Sequence, residues 1–342
     1  MDNVTWTESD VLDLLDVVIV GGGAAGLAGA LTLARARRSV LVLDSGSPRN
    51  APSAHLHGYL GRDGESPARL LARGREEAAG YGALFRSGRA GTAVAAERAD
   101  DGGFLVRCGD GSAVRARRLL VATGLVDELP ELPGLRARWG RDVLHCPYCH
   151  GWEVRDEPLA VLATGPLAAH QAQLWRQWSP RVTLVAHGWR PGAPDREALA
   201  ARGIALVEGE VTGLTVAGDR LTGLELAGGG TLECRALVVA PRFTARSGVL
   251  TGLGLPTTTV ERDGVPIGTC VDSDAATGAT ALPGVWAAGN VTSPVEQVSG
   301  AAAQGVRAAA AINADLIAAE TREAVAAWRA GAGRGAGPEV GP

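Results

Sequence analysis

Lysine is absent from this chain of 342 residues, and all 33 of its basic side chains are arginine. That absence excludes a phosphate-loop lysine, a Schiff-base nucleophile and a pyridoxal-phosphate anchor. Methionine occurs once, as the initiator. A strong charge of either sign is also missing. The formal net charge is -4 and the isoelectric point about 5.9, which gives no overall pull toward nucleic acid or an anionic membrane. The opening residues MDNVTWTESD are acidic and lack the basic segment of a secretory signal. One apolar uncharged stretch, Val17 to Ala34, reaches spanning length, but Gly21, Gly22, Gly23, Gly26 and Gly29 break it into an apolar strand and a glycine-led helix, which argues against a membrane span. Cysteine is scarce. Five in a long chain without an export signal make no disulfide framework, and the expected compartment is the cytoplasm, where a Cys pair is more often catalytic or metal-binding. What remains is 46% hydrophobic and 20% charged, enough for a sizeable core, and the length suits two domains of ordinary size.

The pattern along the chain is α/β. Asp16 to Val20 reads as a buried parallel strand, 26–37 as a helix and Ser39 to Leu43 as the next strand, a βαβ unit. A helix over 66–80 and a β-meander over 90–122 follow, the latter marked by turn signals at Asp101-Gly102-Gly103 and Asp110-Gly111. The proline-rich connector 128–134 reads as a boundary. A second, weaker βαβ pattern follows: Leu159 to Leu162, a helix over 166–178, and Arg181 to Ala186. The chain leaves this block near residue 241 and ends in strand Val285 to Ala288 and an alanine-rich helix, Gln297 to Ile317. The expectation is two Rossmann-like, three-layer ββα dinucleotide-binding domains, the second inserted into the first. Their bounds are 14–127 plus 241–322 and 128–240, with flexible ends at 1–13 and 331–342.

Two motifs carry chemistry. Gly21, Gly23 and Gly26 lie between strand and helix: the first permits a tight turn, the second lets backbone approach a pyrophosphate, and the third lets helix pack on strand. Asp44 closes the following strand, where an acid binds ribose hydroxyls. The second motif is Cys146-Pro147-Tyr148-Cys149-His150, and three readings of it stand open. As a zinc half-site it wants a second Cys/His pair, and although His145 and His150 flank it, Cys108, Cys234 and Cys270 are scattered singly. As a haem-attachment motif it wants export and an axial ligand, with no signal and no internal methionine present. As a redox dithiol it needs a thiolate and a nearby base, which either histidine can supply.

Ala122-Thr123-Gly124 and Pro283 to Asn290 (PGVWAAGN) complete a set, in the correct order, that resembles the thioredoxin-reductase-like FAD flavoproteins over about residues 14–320. CPYCHGWE looks closest to the dithiol oxidases that close disulfides in gliotoxin- and holomycin-type natural products. The resemblance favours the redox reading and implies FAD held at Gly21, Gly23, Ala24, Ala25, Gly26, Asp44, Arg49, Asn50, His57, Ala122, Thr123, Gly124, Gly289, Asn290, Gln297 and Val298. Asn290 stands where the family usually has Asp, and an amide still bonds a hydroxyl. The segment with His55 and His57 resembles a flavin-side loop, and ordinary loop histidines are the alternative. By the same resemblance Cys149 faces the flavin, Cys146 meets substrate, and His150 replaces an acidic proton donor, with His145 beside it. No metal is implied.

The family's second nucleotide motif is degenerate. Ala163 holds the tight-turn position ahead of Gly165 and Ala168, and the strand ending Val185-Ala186-His187 offers no acid and only Arg190. NADPH binding is therefore expected to be weak or absent. The function implied is an FAD-dependent oxidase of a small-molecule dithiol with dioxygen as acceptor. The alternative is an NADPH-fed (or otherwise driven) thioredoxin or disulfide reductase. The resemblance implies a homodimer. Arg242 and Phe243 are candidate pocket residues, with packing an equal alternative; the dithiol itself is not identified by the sequence.

Overall fold

A computed structural model describes residues 11–332. Its largest sheet orders the strands Leu84–Ser87, Val40–Asp44, Val11–Val20, Ala113–Val121, Phe104–Cys108 and Ala93–Arg98. The long strand Ala113–Val121 divides its pairing. Its first half joins the antiparallel meander, and Leu119 to Val121 takes Val285–Ala287 as a parallel partner. Val17, Val18 and Ile19 are completely buried, as a parallel strand covered on both faces requires. The apolar stretch Val17 to Ala34 is thus split between this strand and the helix Ala24–Arg35. Among the described residues, no helix is long and apolar enough to cross a membrane.

The second sheet is all parallel, in the order Ala205–Glu208, Val182–Ala186, Leu159–Leu162, Ala236–Val238, Val143–Leu144. It is built wholly from chain lying between Val121 and Val285. The fold is therefore two dinucleotide-binding α/β units, the second inserted into the first. Leu125–Glu128 on the outward passage pairs antiparallel with Arg242–Ala245 on the return.

Three sequence expectations need correction. Residues 1–13 read as a leader, yet Val11 and Leu12 already pair with Ala113 and Val114. The interrupting Asp13 and Asp16 hid the strand, while the long neighbour supplied backbone partners for it. Residues 1–10 lie outside the described set. The last helix was expected to stop at Ile317 but runs Val298–Ala332. Its added turns are anchored where Glu320 accepts from Arg38 and Arg117, so an ion-pair cluster does what an apolar face does elsewhere. Of the expected tail, Gly331 and Ala332 are helical, and 333–342 lie outside the described residues. Finally, the helix expected over 166–178 is shorter, Ala168–Trp175.

Candidate active site

A cleft of about 840 Å³ runs between the two units, within the range of cofactor and substrate sites. All the candidate FAD-holding and catalytic residues except Gly26 line it. Gly26 lies buried beneath the turn, where a Cβ would overlap the carbonyl oxygen of Gly21. Gly21 has φ +110°, and a Cβ there would overlap Ala122 O. Both positions need glycine for the turn itself. Gly23 differs. It has ordinary extended backbone at the N-cap of Ala24–Arg35, and a Cβ would meet nothing within 4 Å. Its open side faces the cleft at the positive end of a twelve-residue helix, a shape that fits a pyrophosphate. Asp44 borders the same turn, its carboxylate held by Arg75 at 2.9 Å and by the Gly46 N–H at 3.1 Å.

Arg49 grips Asp127 with two nitrogens, at 2.8 and 2.7 Å, and lies 5.2 Å over the Phe243 ring. Its third nitrogen reaches Asn290 Oδ1 at 3.3 Å. The Asn290 amide in turn donates to Ser293 O and Glu296 O, fixing the loop that leads to Gln297 and the helix beginning at Val298. Gly289 N–H donates to Gln304 on that helix at 2.7 Å. Thr123 ties its hydroxyl to Arg246 O.

On the opposite wall Cys146 and Cys149 form a disulfide. Cys146 caps the single turn Pro147–His150, with Pro147 supplying its fixed φ at the first helical position. Tyr148, between the cysteines, meets Trp178 edge-on at 5.4 Å, and Trp178 lies 6.4 Å from buried Trp175. The remaining cysteines lie outside this wall. Burial raises the Cys108 thiol and pushes Cys234 up to about 12, and Cys270 pairs with Thr258. Among the described residues no group of three or more His, Cys, Asp or Glu side chains is placed to hold a metal ion.

The two flanking histidines are placed for different tasks. His145 donates from Nδ1 to Val239 O at 3.3 Å and packs edge-on against Phe243. Burial lowers its pKa to about 4, so the ring is neutral at pH 7 and ties the disulfide strand to the return strand. His150 pairs Nε2 with Ser53 Oγ at 3.0 Å, while its Nδ1 is buried without a partner. Burial lowers its pKa too, opposed by the Glu153 carboxylate and reinforced by His57. His57 bridges Asp63 at 3.4 Å and Glu153 at 3.3 Å, and a smaller cavity of about 410 Å³ touches His57, Glu153 and His150. His55 fastens its own loop by donating to Gly64 O.

Sequence reasoning missed Ser53, Asp63, Asp127 and Glu153, each a short-range polar partner of a residue it did select. Of its two pocket candidates, Phe243 lines the cleft, whereas Arg242 faces solvent near Glu128. The second dinucleotide turn is built differently from the first. Ala163 is buried at the strand end with a negative φ, and Pro166 removes one N–H from the turn. The strand ends at Leu162 and the helix starts only at Ala168, a longer passage than that from Val20 to Ala24 in the first unit. At the next strand end, His187 accepts from Val211 N–H, and Arg190 and Arg196 are both paired with Glu208.

This arrangement defines a flavoprotein disulfide oxidoreductase. The chain belongs to the family described as pyridine nucleotide-disulphide oxidoreductase, which matches residues 15–305. Family membership implies FAD. Similar proteins include "Thioredoxin reductase sirT" of Leptosphaeria maculans, 28% identical over 326 residues that cover 90% of this chain and 96% of that one. "Thioredoxin reductase tcpT" of Claviceps purpurea (strain 20.1) is 36% identical over 181 residues, covering 52% of this chain and 56% of the relative. The match thus spans about half the length of tcpT, and of a second such relative from Aspergillus oryzae. Among solved structures, HlmI superposes with a TM-score of 0.84 at 48% identity, covering 92% of this chain and 96% of that one. An oxidoreductase from Agrobacterium tumefaciens gives 0.81 at 33% identity, covering 89% and 99%. The chain is a thioredoxin-reductase-like disulfide oxidoreductase, similar to sirT, tcpT and HlmI.

Proposed function

We propose that the chain is an FAD-dependent oxidase of small dithiols, active in the cytoplasm as a homodimer, with dioxygen as final acceptor. The observation that carries the reading is the contrast between the two turns. The turn sharing a cleft with the disulfide is open for a pyrophosphate at Gly23, whereas the other offers Ala163 and Pro166, with its nearby arginines already paired. FAD would be held by the first, in the domain we bound as 14–127 plus 241–322, and NADPH bound weakly or not at all in 128–240.

In this reading a substrate thiolate attacks Cys146 and opens the Cys146–Cys149 bond. The second substrate thiolate then displaces Cys146, so the substrate leaves as a disulfide and the enzyme holds two thiols. His150, neutral at pH 7 with a buried unpartnered Nδ1, takes up a thiol proton, and Ser53 on Nε2 orients the ring. His145 positions the segment between strand Val143–Leu144 and Cys146. Arg49, clamped by Asp127, holds Asn290 and the Gln297 loop along the cofactor wall. Bound FAD would supply the two-electron acceptor for the enzyme dithiol, with Cys149 as the cysteine facing it; the disulfide would re-form, and the two electrons and two protons would leave with dioxygen as hydrogen peroxide.

The test is anaerobic mixing of the holoenzyme with dithiothreitol and, separately, with NADPH, following the flavin band. Bleaching by the dithiol alone, with one peroxide formed per turnover on readmitting air, supports the oxidase. Bleaching by micromolar NADPH instead would establish a reductase. A monomeric mass by light scattering would remove the dimer from the proposal.

A further inference from the structure

The chain crosses between the two units twice, through Leu125–Glu128 on the way out and Arg242–Ala245 on the return. These strands pair with each other in a four-stranded sheet completed by Thr257–Arg262 and Val265–Val271 of the first unit. A joint of two short connections is a hinge unless contacts elsewhere hold the units together. One segment of the first unit, residues 49–57, supplies such contacts. Three of its side chains, spaced four residues apart, are each fastened. Arg49 grips Asp127 on the outgoing strand. Ser53 meets His150 at 3.0 Å, and His57 meets Glu153 at 3.3 Å. His150 and Glu153 belong to the second unit and follow Cys149 closely in the chain. Between these fastenings Pro52 abuts Gly140 of the second unit, where a Cβ would lie 2.9 Å from the Pro52 Cβ.

The segment is itself stiff. Pro48 and Pro52 each fix one backbone angle. The N–H groups of Ala51 and Ser53 donate to Pro48 O and Asn50 O in overlapping turns. At the far end Leu56 is buried, and its backbone pairs with Glu65 and Gly64. The cavity of about 410 Å³ is walled by both this segment and the second unit. We infer that residues 49–57 form a strap that holds the second unit in the one orientation that sets the disulfide in the cleft, and that turnover runs with the strap closed. The second unit's own nucleotide turn, Ala163 to Pro166, does not line the cleft. Bringing a nucleotide from there to the place the disulfide holds would require the second unit to swing, and the strap opposes that swing. The inference goes beyond the oxidase reading, because it concerns how the units are held rather than what they oxidise.

The experiment measures the distance between the units in the holoenzyme. Glu77→Cys on helix Pro67–Gly80 and Glu197→Cys on helix Ala193–Ala201, both exposed, carry maleimide-linked nitroxides in a Cys270→Ser background. Double electron–electron resonance should give one narrow distance, unchanged when dithiothreitol is added without air. Ser53→Ala with Glu153→Ala removes both side-chain fastenings to the second unit and should broaden the distribution or add a second distance. A second distance in the otherwise unaltered chain on reduction would overturn closed-strap turnover. An unchanged distribution in the unfastened variant would show that the hinge alone holds the units and would overturn the strap. In a parallel arm Pro52→Cys and Gly140→Cys are bridged by dibromobimane through two thioethers, which dithiols do not cleave. Flavin bleaching by dithiothreitol should stay within about twofold of the unbridged double variant, and a loss of about tenfold or more would mean that turnover needs the strap to open. If dithiothreitol bleaches no flavin even in wild type, the oxidase reading fails, and the distances still decide whether the strap holds.

Discussion

Gly23→Ala separates the fold from the cofactor. Gly23 has φ −79° and ψ −172°, a conformation alanine adopts freely, and its Cβ would meet nothing within 4 Å. Alanine also restricts the unfolded chain, so stability without cofactor should stay within about 1 kcal/mol of wild type. The same methyl fills the space in which a pyrophosphate would approach the helix N-terminus. Losing one or two N–H bonds to an anionic oxygen is worth about 3 kcal/mol, or roughly a hundredfold in Kd. At an FAD concentration a hundred times the wild-type Kd, ligand linkage stabilises wild type by about 2.7 kcal/mol and the variant by only about 0.4. The assay is the melting midpoint with and without added FAD, beside the flavin retained after gel filtration. A variant that keeps wild-type flavin affinity would refute the placement of the cofactor. Gly26→Ala is the contrast, since its Cβ would overlap Gly21 O and should damage the fold with or without FAD.

Other consequences can be measured directly. His145 has a folded pKa lowered from its ordinary 6.5 to about 4, so the unfolded chain takes up the proton first as pH falls. Its contribution is therefore complete above pH 6.5 and lost between 6.5 and about 4, amounting to about 3 kcal/mol. His145→Gln, measured by urea unfolding, should flatten that part of the profile relative to wild type; an identical slope would count against a neutral buried ring. For His150, burial puts the acidic limb of kcat/KM below the ordinary histidine range. Glu153→Gln should move the limb further down and His57→Gln upward, because the first opposes the shift and the second reinforces it. A limb that neither moves would separate His150 from proton transfer. Arg49→Leu strands the Asp127 carboxylate, whose side chain is 7% exposed, and should cost about 3 kcal/mol by denaturant titration. A change within about 0.5 kcal/mol would mean that water reaches the carboxylate freely.

The parts of this molecule legible in the sequence are those where a local pattern has one physical meaning. The glycine turn, the apolar parallel strands and the Cys pair each state their requirement within a few residues. The candidate residues converge on one cleft because strand ends and helix starts in such units face the same way. What stayed hidden depends on pairing across distance. Ser53 meets His150 from 97 residues away, and Asp127 meets Arg49 from 78, so neither has a local signature. Strand Val11–Val20 extends past its apparent start because a neighbour pairs with it, and the last helix continues because Arg38 and Arg117 hold Glu320. The side-on placement of Ala168–Trp175 along the cleft was hidden for a related reason: residue spacing sets the stripes of a helix, and only packing decides which stripe lines the cleft.

The indole of Trp178 backs directly onto the disulfide turn, touching Tyr148 edge-on and leaving no room for a side chain at Gly151. A disulfide quenches the emission of a nearby excited indole, and a pair of thiols quenches it less. The emission of this indole, one of eight in the chain, is therefore expected to change with the oxidation state of the sulfur pair, and Trp178→Phe should abolish that change.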